Sequence, residues 1–322
     1  MPKTLEQERS RHSYEHVTPH VARVPHQLVN SYLVDDPISG QWILVDAGLR
    51  TSTNHILRAA MERFGSDSRP VAIVLTHGHF DHVGALGKLS EFWEVPVYAH
   101  TLEFPYLNGC CAYPPPDPTV GGGMMSVMSR FLTRGPYDFS KRLRPLPSNG
   151  EIPGMPGWRW LATPGHSPGH ISLFYEAHRT LIAGDAFVTT KQESVLAILS
   201  QQQEVNGPPA YFTCDWESAR NSVRVLASLN PRVAATGHGI PMSGEELAAQ
   251  LQKLADNFER DAIPKHGRYV GQPAITDENG VISVPPPASD PWRKAAAVGI
   301  GVLTIGAFAL LVRANRRKHC CY

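Results

Sequence analysis

The run His77-Gly78-His79-Phe80-Asp81-His82 follows directly on Val71-Ala72-Ile73-Val74-Leu75 and Thr76. Five apolar residues read as a buried strand, and Gly78 permits a tight turn just past its end. The turn therefore carries three imidazoles and a carboxylate within six positions. Neutral imidazole nitrogens and carboxylate oxygens are ligands for zinc and its first-row neighbours. One such turn cannot complete two metal shells, so further ligands are expected downstream. The chain offers His166 in Thr163-Pro-Gly-His-Ser-Pro-Gly-His170, Asp185 in Leu181-Ile-Ala-Gly-Asp185, and His238 in Ala235-Thr-Gly-His-Gly239. Each follows an apolar, strand-like run and stands beside a glycine. Taken singly, a histidine is more often a surface or satisfied core residue. Metal-type residues at successive strand ends, in this order, are hard to explain that way.

At 322 residues the chain suits one large domain or two ordinary ones, and 42% hydrophobic with 18% charged residues is the composition of a folded protein. The formal charge of +1 gives no electrostatic case for nucleic acid. Cys110, Cys111, Cys214, Cys320 and Cys321 form neither a disulfide framework nor a C-x-x-C zinc site. Reduced thiols in a cytosolic setting are the simpler account.

The first 16 residues are charged and lack the apolar core of a secretory signal. Ala295–Val312, by contrast, is an uncharged stretch of 18 residues flanked by Arg293 and Lys294 on one side and Arg313, Arg316, Arg317 and Lys318 on the other. As a helix it would be about 27 Å long, near the lower limit for spanning a bilayer. A single-pass C-terminal membrane anchor is the expectation, with the catalytic domain in the cytoplasm and a homodimer formed by close packing at Gly299, Gly301 and Gly306.

Between the termini the pattern alternates. Leu28–Val34 and Gln41–Asp46 read as a hairpin, and Ser52–Phe64 as a helix. Gly84–Phe92 reads as a short helix and Val95–Ala99 as a strand. Strand signals return at Trp158–Ala162, Ile171–Tyr175, Thr180–Ala183 and Val233–Ala235. Asp215–Leu229 has an apolar helical face, and Ser243-Gly244-Glu245-Glu246 reads as a capping box opening a helix to about Arg260. Residues 103–149 break the rhythm. Their methionine-rich run Met124–Leu132 suits either core filler or a lid over the site. The domain expectation is a loose segment 1–20, a catalytic domain 21–262, a Pro-rich linker 263–292, a transmembrane helix 293–313 and a basic tail 314–322.

The chain resembles the metallo-β-lactamase fold superfamily over about residues 21–262. The resemblance rests on Asp46-Ala47-Gly48, Thr76-His-Gly-His-Phe-Asp-His-Val-Gly84, His166, Asp185 and His238. It implies an α/β fold, a four-layer αββα sandwich with a dinuclear metal site at one edge of two sheets, here with one C-terminal transmembrane helix added. It also implies that His77, His79 and His166 hold one metal, that Asp81, His82 and His238 hold the other, and that Asp185 bridges them. Asp46 would orient an imidazole from behind, and His170 would support the site without coordinating, since Pro168 and Gly169 disfavour a helical His-x-x-x-His pair. The expected cofactors are two divalent ions, zinc first, with iron or manganese as alternatives. His100, His178 and His266 sit in no motif and read as structural or surface residues.

Two such ions lower the pKa of bound water and create a nucleophile at neutral pH, and Asp81 is placed to act as both ligand and catalytic proton acceptor. A metal-dependent hydrolase of an ester, thioester or lactone-type bond in a small-molecule substrate follows. N-acyl homoserine lactonases of this superfamily usually carry a tyrosine shortly after the bridging aspartate. Here Ala186, Phe187 and Val188 stand there, and Phe187 cannot donate a hydrogen bond. Glyoxalase II enzymes resemble the metal core too, and Lys265 and Arg268 are candidates for their basic substrate contacts, with no motif around them. An iron-dependent persulfide dioxygenase-like oxidoreductase is the alternative on the same fold, disfavoured by the complete ligand set for a second metal.

Overall fold

In the hairpin Val29–Asp35 and Trp42–Val45 side chains alternate between two apolar layers. Tyr32, Val34, Ile43 and Val45 enter one, and Leu33 and Leu44 the other. Burial on both faces with a period of two means this sheet is covered on both sides. The computed structural model, which describes residues 12–200 and 202–288, shows how.

One sheet has seven strands in chain order: β1 (Glu15–Thr18), β2 (Val21–His26), β3 (Val29–Asp35), β4 (Trp42–Val45), β5 (Ala72–Val74), β6 (Val97–Ala99) and β7 (Leu143–Pro145). Strands β1 to β4 are antiparallel, and β4 to β7 are parallel. The second sheet has five, again in chain order: β8 (Trp158–Ala162), β9 (Ile171–Tyr175), β10 (Thr180–Gly184), β11 (Val233–Thr236) and β12 (Met242–Ser243). Only the β10–β11 pair is parallel.

Three apolar layers separate four structural ones. Val21, Tyr32, Ile43 and Val74 from the first sheet meet Trp158, Ile171, Leu173 and Ile182 from the second. On the outer face of the first sheet, α1 (Thr53–Phe64), the short α2 (Phe80–Val83) and α3 (Leu86–Trp93) bring Ile56, Val83, Leu86, Leu89 and Trp93 against Leu33, Leu44 and Ile73. The crossover from β6 to β7 carries α4 (Phe104–Leu107) and α5 (Met124–Met128), and α6 (Val195–Ser200) follows β10. On the outer face of the second sheet, α7 (Trp216–Ser228) and α8 (Gly244–Asp261) bring Trp216, Val223, Leu226, Leu251 and Phe258 against Phe174, Leu181 and Ala234. This is the expected αββα sandwich.

Several expectations need correction. Residues 15–18 are not loose: they form an edge strand whose polar face meets solvent, which hid its periodicity. The 263–292 stretch is not bare linker, because Ile275–Asp277 (β13) and Gly280–Ser283 (β14) pair as a hairpin within the compact unit that ends at Pro285. Ser243 stands before α8, but its side chain makes no capping bond, so the capping box does not form. The methionine run fills the core only in part: Met124, Val127, Met128 and Phe131 are exposed, whereas Met125 and Leu132 pack against the core.

The membrane expectation is also corrected. Among the described residues no helix is long and apolar enough to cross a membrane, so a single-pass anchored localisation is not supported. The stretch on which it rested, Ala295–Val312, and the dimer contact at Gly299, Gly301 and Gly306 lie outside the described residues.

Trp42 pins the first helical layer. Its ring stacks on Phe64 with centroids 4.4 Å apart, meets Trp93 edge-on at 5.7 Å, and its Nε1–H donates to Ser68 Oγ at 2.8 Å. Trp42→Ala should destabilise the fold by about 3–5 kcal/mol, the usual range for emptying a buried aromatic site. The check is a denaturant titration, with the midpoint lowered and the slope unchanged.

Candidate metal centre

The loops that matter leave the sheets at one edge. Asp46 follows β4, and His77 and His79 lie between β5 and α2, which itself carries Asp81 and His82. His166 lies between β8 and β9, Asp185 directly follows β10, and His238 follows β11. Strands β4 and β5 run parallel, as do β10 and β11, and β8 runs the same way as β10 because both are antiparallel to β9. These loops therefore emerge together. Ile171 N–H donates to Thr76 O at 2.9 Å and ties one sheet to the other at this edge.

Three groups of ligand-type atoms converge there. His77, His79 and His166 form one, His77, His82 and Asp185 another, and Asp81, His82 and His238 a third, each with one ligand atom per residue lying within 4.8 Å of the others. His79 Nδ1 and His166 Nε2 are 3.0 Å apart. One oxygen of Asp185, Oδ2, stands 3.5 Å from His166 Nε2, 3.6 Å from His82 Nε2 and 3.1 Å from His238 Nε2. His238 Nε2 is also 3.6 Å from Asp81 Oδ2. Every residue expected from the sequence as a ligand is thus in the cluster.

The rings are aimed by what holds their other nitrogen. His82 Nδ1–H donates to Asp46 Oδ2 at 2.8 Å, which leaves Nε2 facing the cluster. His238 Nδ1–H donates to Leu28 O at 2.5 Å, with Gln192 Nε2 3.1 Å away. Thr76 Oγ1–H donates to Asp46 Oδ2 at 2.7 Å and receives His77 Nδ1–H at 3.1 Å, so Asp46 aims two imidazoles, one directly and one through Thr76. His170 behaves as expected of a supporting residue. Its Nε2 accepts the Asp185 backbone N–H at 2.9 Å, which places its proton on Nδ1, 2.8 Å from Thr163 Oγ1.

Charge follows the same layout. Burial holds His77 and His166 well below the ordinary imidazole value, and brings His79 down to about 3 and His170 to about 4. Burial opposes a charge on His82 as well, but the Asp185 and Asp46 carboxylates outweigh it and raise that imidazole well above its usual value. Asp185 is the counterpart: burial would raise it, yet His238 and His82 hold it well below the carboxylate range.

The donor set fits metal ions on a direct observation. His77 Nε2, His82 Nε2 and Asp185 Oδ1 are buried and have no hydrogen-bond partner. Buried polar atoms are normally satisfied, and these three belong to residues of the converging groups. Gly237 makes room for them: a Cβ there would stand 2.0 Å from Asp185 Oδ1 and 2.8 Å from His82 Cε1.

Some site residues were not visible in the sequence. Gln192 carries no motif, and Thr76 opens the His-rich motif with nothing to show its role there. Glu103 is fully buried and accepts hydrogen bonds from Tyr113 Oη, Ser167 Oγ and the backbone N–H of Gly78 and Gly169; burial raises its carboxyl while these donors pull it down. Phe212 packs over His79 with centroids 4.7 Å apart. Burial, then the Asp81, Glu193 and Asp185 charges, push the neighbouring Tyr211 phenol well above its ordinary value, so it stays protonated.

Residues 25–238 match the metallo-β-lactamase superfamily. The probable metallo-hydrolase YflN of Bacillus subtilis is 45% identical over 233 residues, covering 72% of this chain and 88% of the relative. The probable metallo-hydrolase YybB of the same organism is 28% identical over 61% of this chain and 74% of its own length. A β-lactamase domain protein from Burkholderia ambifaria has a related fold, with a TM-score of 0.52, 21% identity and 76% of each chain covered. With its family match taking in strands of both sheets and ending on His238, the chain belongs to the metallo-β-lactamase superfamily.

Proposed function

We propose that the protein is a dinuclear, metal-dependent hydrolase of an ester or thioester bond in a small-molecule substrate. In this reading His77, His79 and His166 would hold one divalent ion and Asp81, His82 and His238 the other, with Asp185 standing between the two groups. The observation that carries it is the set of converging, buried ligand atoms, three of them without any other partner. The names of the B. subtilis relatives, both probable metallo-hydrolases, point the same way. Zinc suits the imidazole and carboxylate donors, as do iron and manganese.

Two divalent ions supply a nucleophile from water at neutral pH and polarise the substrate's carbonyl. The chain's own residues do the rest. Asp185, kept ionised by His82 and His238, supplies negative charge at the centre of the cluster. Asp81, the least buried of the ligand set, would accept the proton released when water attacks. Asp46 and Thr76 accept the Nδ1–H of His82 and His77, so each ring turns its Nε2 toward the cluster. Phe212 covers the His79 ring, and the buried Tyr211 packs against Phe212 in turn.

The lactone reading is the weaker one. Phe187 is fully buried in the apolar layer beneath α7 and α8, and Val188 is buried beside it, so neither offers a donor to a leaving alkoxide.

Elemental analysis of the full chain, purified without chelator and dialysed, should find close to two zinc-like ions per chain. One iron and no second metal would move the protein to the dioxygenase class. Asp185→Asn should reduce hydrolysis of an aryl ester by orders of magnitude while the circular dichroism spectrum is kept; an undiminished rate would remove Asp185 from its role. In a panel of an acyl thioester, an aryl ester and an acyl-homoserine lactone at equal concentration, the lactone should be turned over most slowly. A clear preference for it would show that another residue supplies the missing donor.

A further inference from the structure

Gly78, the residue between His77 and His79, has its backbone N–H held by groups from outside its own loop. It donates to Glu103 Oε2 at 2.9 Å and to Tyr113 Oη at 2.9 Å, and Tyr113 Oη–H in turn donates to Glu103. Space enforces the arrangement: a Cβ at position 78 would stand 2.4 Å from Tyr113 Oη and 2.8 Å from Leu107 Cδ2. The other oxygen of Glu103 reaches a second loop. Oε1 accepts Ser167 Oγ–H at 2.9 Å and Gly169 N–H at 2.7 Å. Ser167 adjoins His166, and Gly169 adjoins His170, which receives the Asp185 N–H.

One buried carboxylate therefore spans the loop of the first sheet that carries His77 and His79 and the loop of the second that carries His166. Its own segment, the turn Thr101–Glu103 after β6, opens the long crossover to β7. Glu103 does not join any converging ligand group among the described residues, and both of its oxygens are occupied.

We propose that Glu103, with Tyr113, is a positioning residue that sets the separation of the two loops supplying the His77–His79–His166 ligand group. The proposal rests on the two-metal reading above. A carboxylate can do this because it accepts on both oxygens, whereas an amide presents an N–H₂ to donors on one side. Glu103→Gln would therefore set an amide against the Gly78 or the Gly169 N–H and push one loop away. The Asp81–His82–His238 group takes no bond from Glu103 and should be spared.

The test uses the full chain, stripped with chelator and titrated with Co²⁺, with visible absorbance and bound metal followed together. Wild type should take up two ions. Glu103→Gln should keep one and bind the other about 10–100-fold more weakly, the usual cost of losing an outer support of a metal ligand. Its absorbance should match that of His166→Ala and differ from that of His238→Ala. Tyr113→Phe, which keeps the carboxylate and removes one donor, should weaken the same ion by less. It carries the test should Glu103→Gln not fold. Two Co²⁺ bound with wild-type affinity and spectrum in both variants, even with a lowered melting temperature, would reduce Glu103 to a stabilising role and overturn the proposal. Fewer than two ions in wild type would overturn the two-metal reading beneath it, an outcome the variants alone could not mimic.

Discussion

The Asp46 carboxylate is the contact on which the site is built. Asp46 ends β4 with a φ of 59°, in the left-handed region that aspartate tolerates better than most residues. That conformation turns its side chain into the protein, where Thr76 N–H and Oγ1–H and His82 Nδ1–H all donate to it. A buried carboxylate is stable only when its oxygens are satisfied in this way. Because the donors belong to the turn after β5, satisfying Asp46 also fixes where that turn goes. The carbonyl of His82 then accepts from Ala47 N–H at 2.7 Å and closes the same junction from the other side.

The strand ends of the first sheet are thus locked to each other before any ligand from the second is considered. The second sheet is joined to them by the Ile171–Thr76 backbone bond and by Glu103, and its own loops are braced in turn. His170 holds the Asp185 backbone, and Asn30 donates to the carbonyls of Thr236 and Gly239 on either side of His238. A dense set of polar groups in so apolar a molecule is tolerable because nearly all of them are paired. Three of the buried atoms without a partner, His77 Nε2, His82 Nε2 and Asp185 Oδ1, collect at one point.

The sequence showed the ligands because their chemistry is rare and local: the spacing of His77, His79, Asp81 and His82, and the glycines beside His166, Asp185 and His238, are legible in one dimension. Asp46 was legible through the resemblance, and His170 through Pro168 and Gly169, which disfavour a helical ligand pair with His166. Most strands and the helices at Thr53–Phe64 and Trp216–Ser228 were readable from periodicity, since each buries one strong face. What escaped was whatever depends on distant partners. Glu103 looks like any acidic residue near a helix start, and nothing in Thr101-Leu-Glu-Phe-Pro105 says that its partners lie near residues 78, 113 and 168. The edge strand β1 and the hairpin β13–β14 escaped for the opposite reason, being too short and too exposed to show a pattern.

Every converging group takes two residues from the chain before position 100 and one from beyond position 160: His77 and His79 with His166, His77 and His82 with Asp185, Asp81 and His82 with His238. Among the described residues, neither half of the chain contains a complete group. A nascent or truncated first sheet therefore offers each group two of its three ligands, and the second sheet offers each only one. Metal capture is in this sense a late event that reports on docking of the two sheets, and its free energy accrues to the closed sandwich alone. The site is consequently also a rivet. Stripping it should loosen the molecule first along this one edge, with amide exchange rising in the loops around residues 77, 166 and 238 while the opposite edge stays protected.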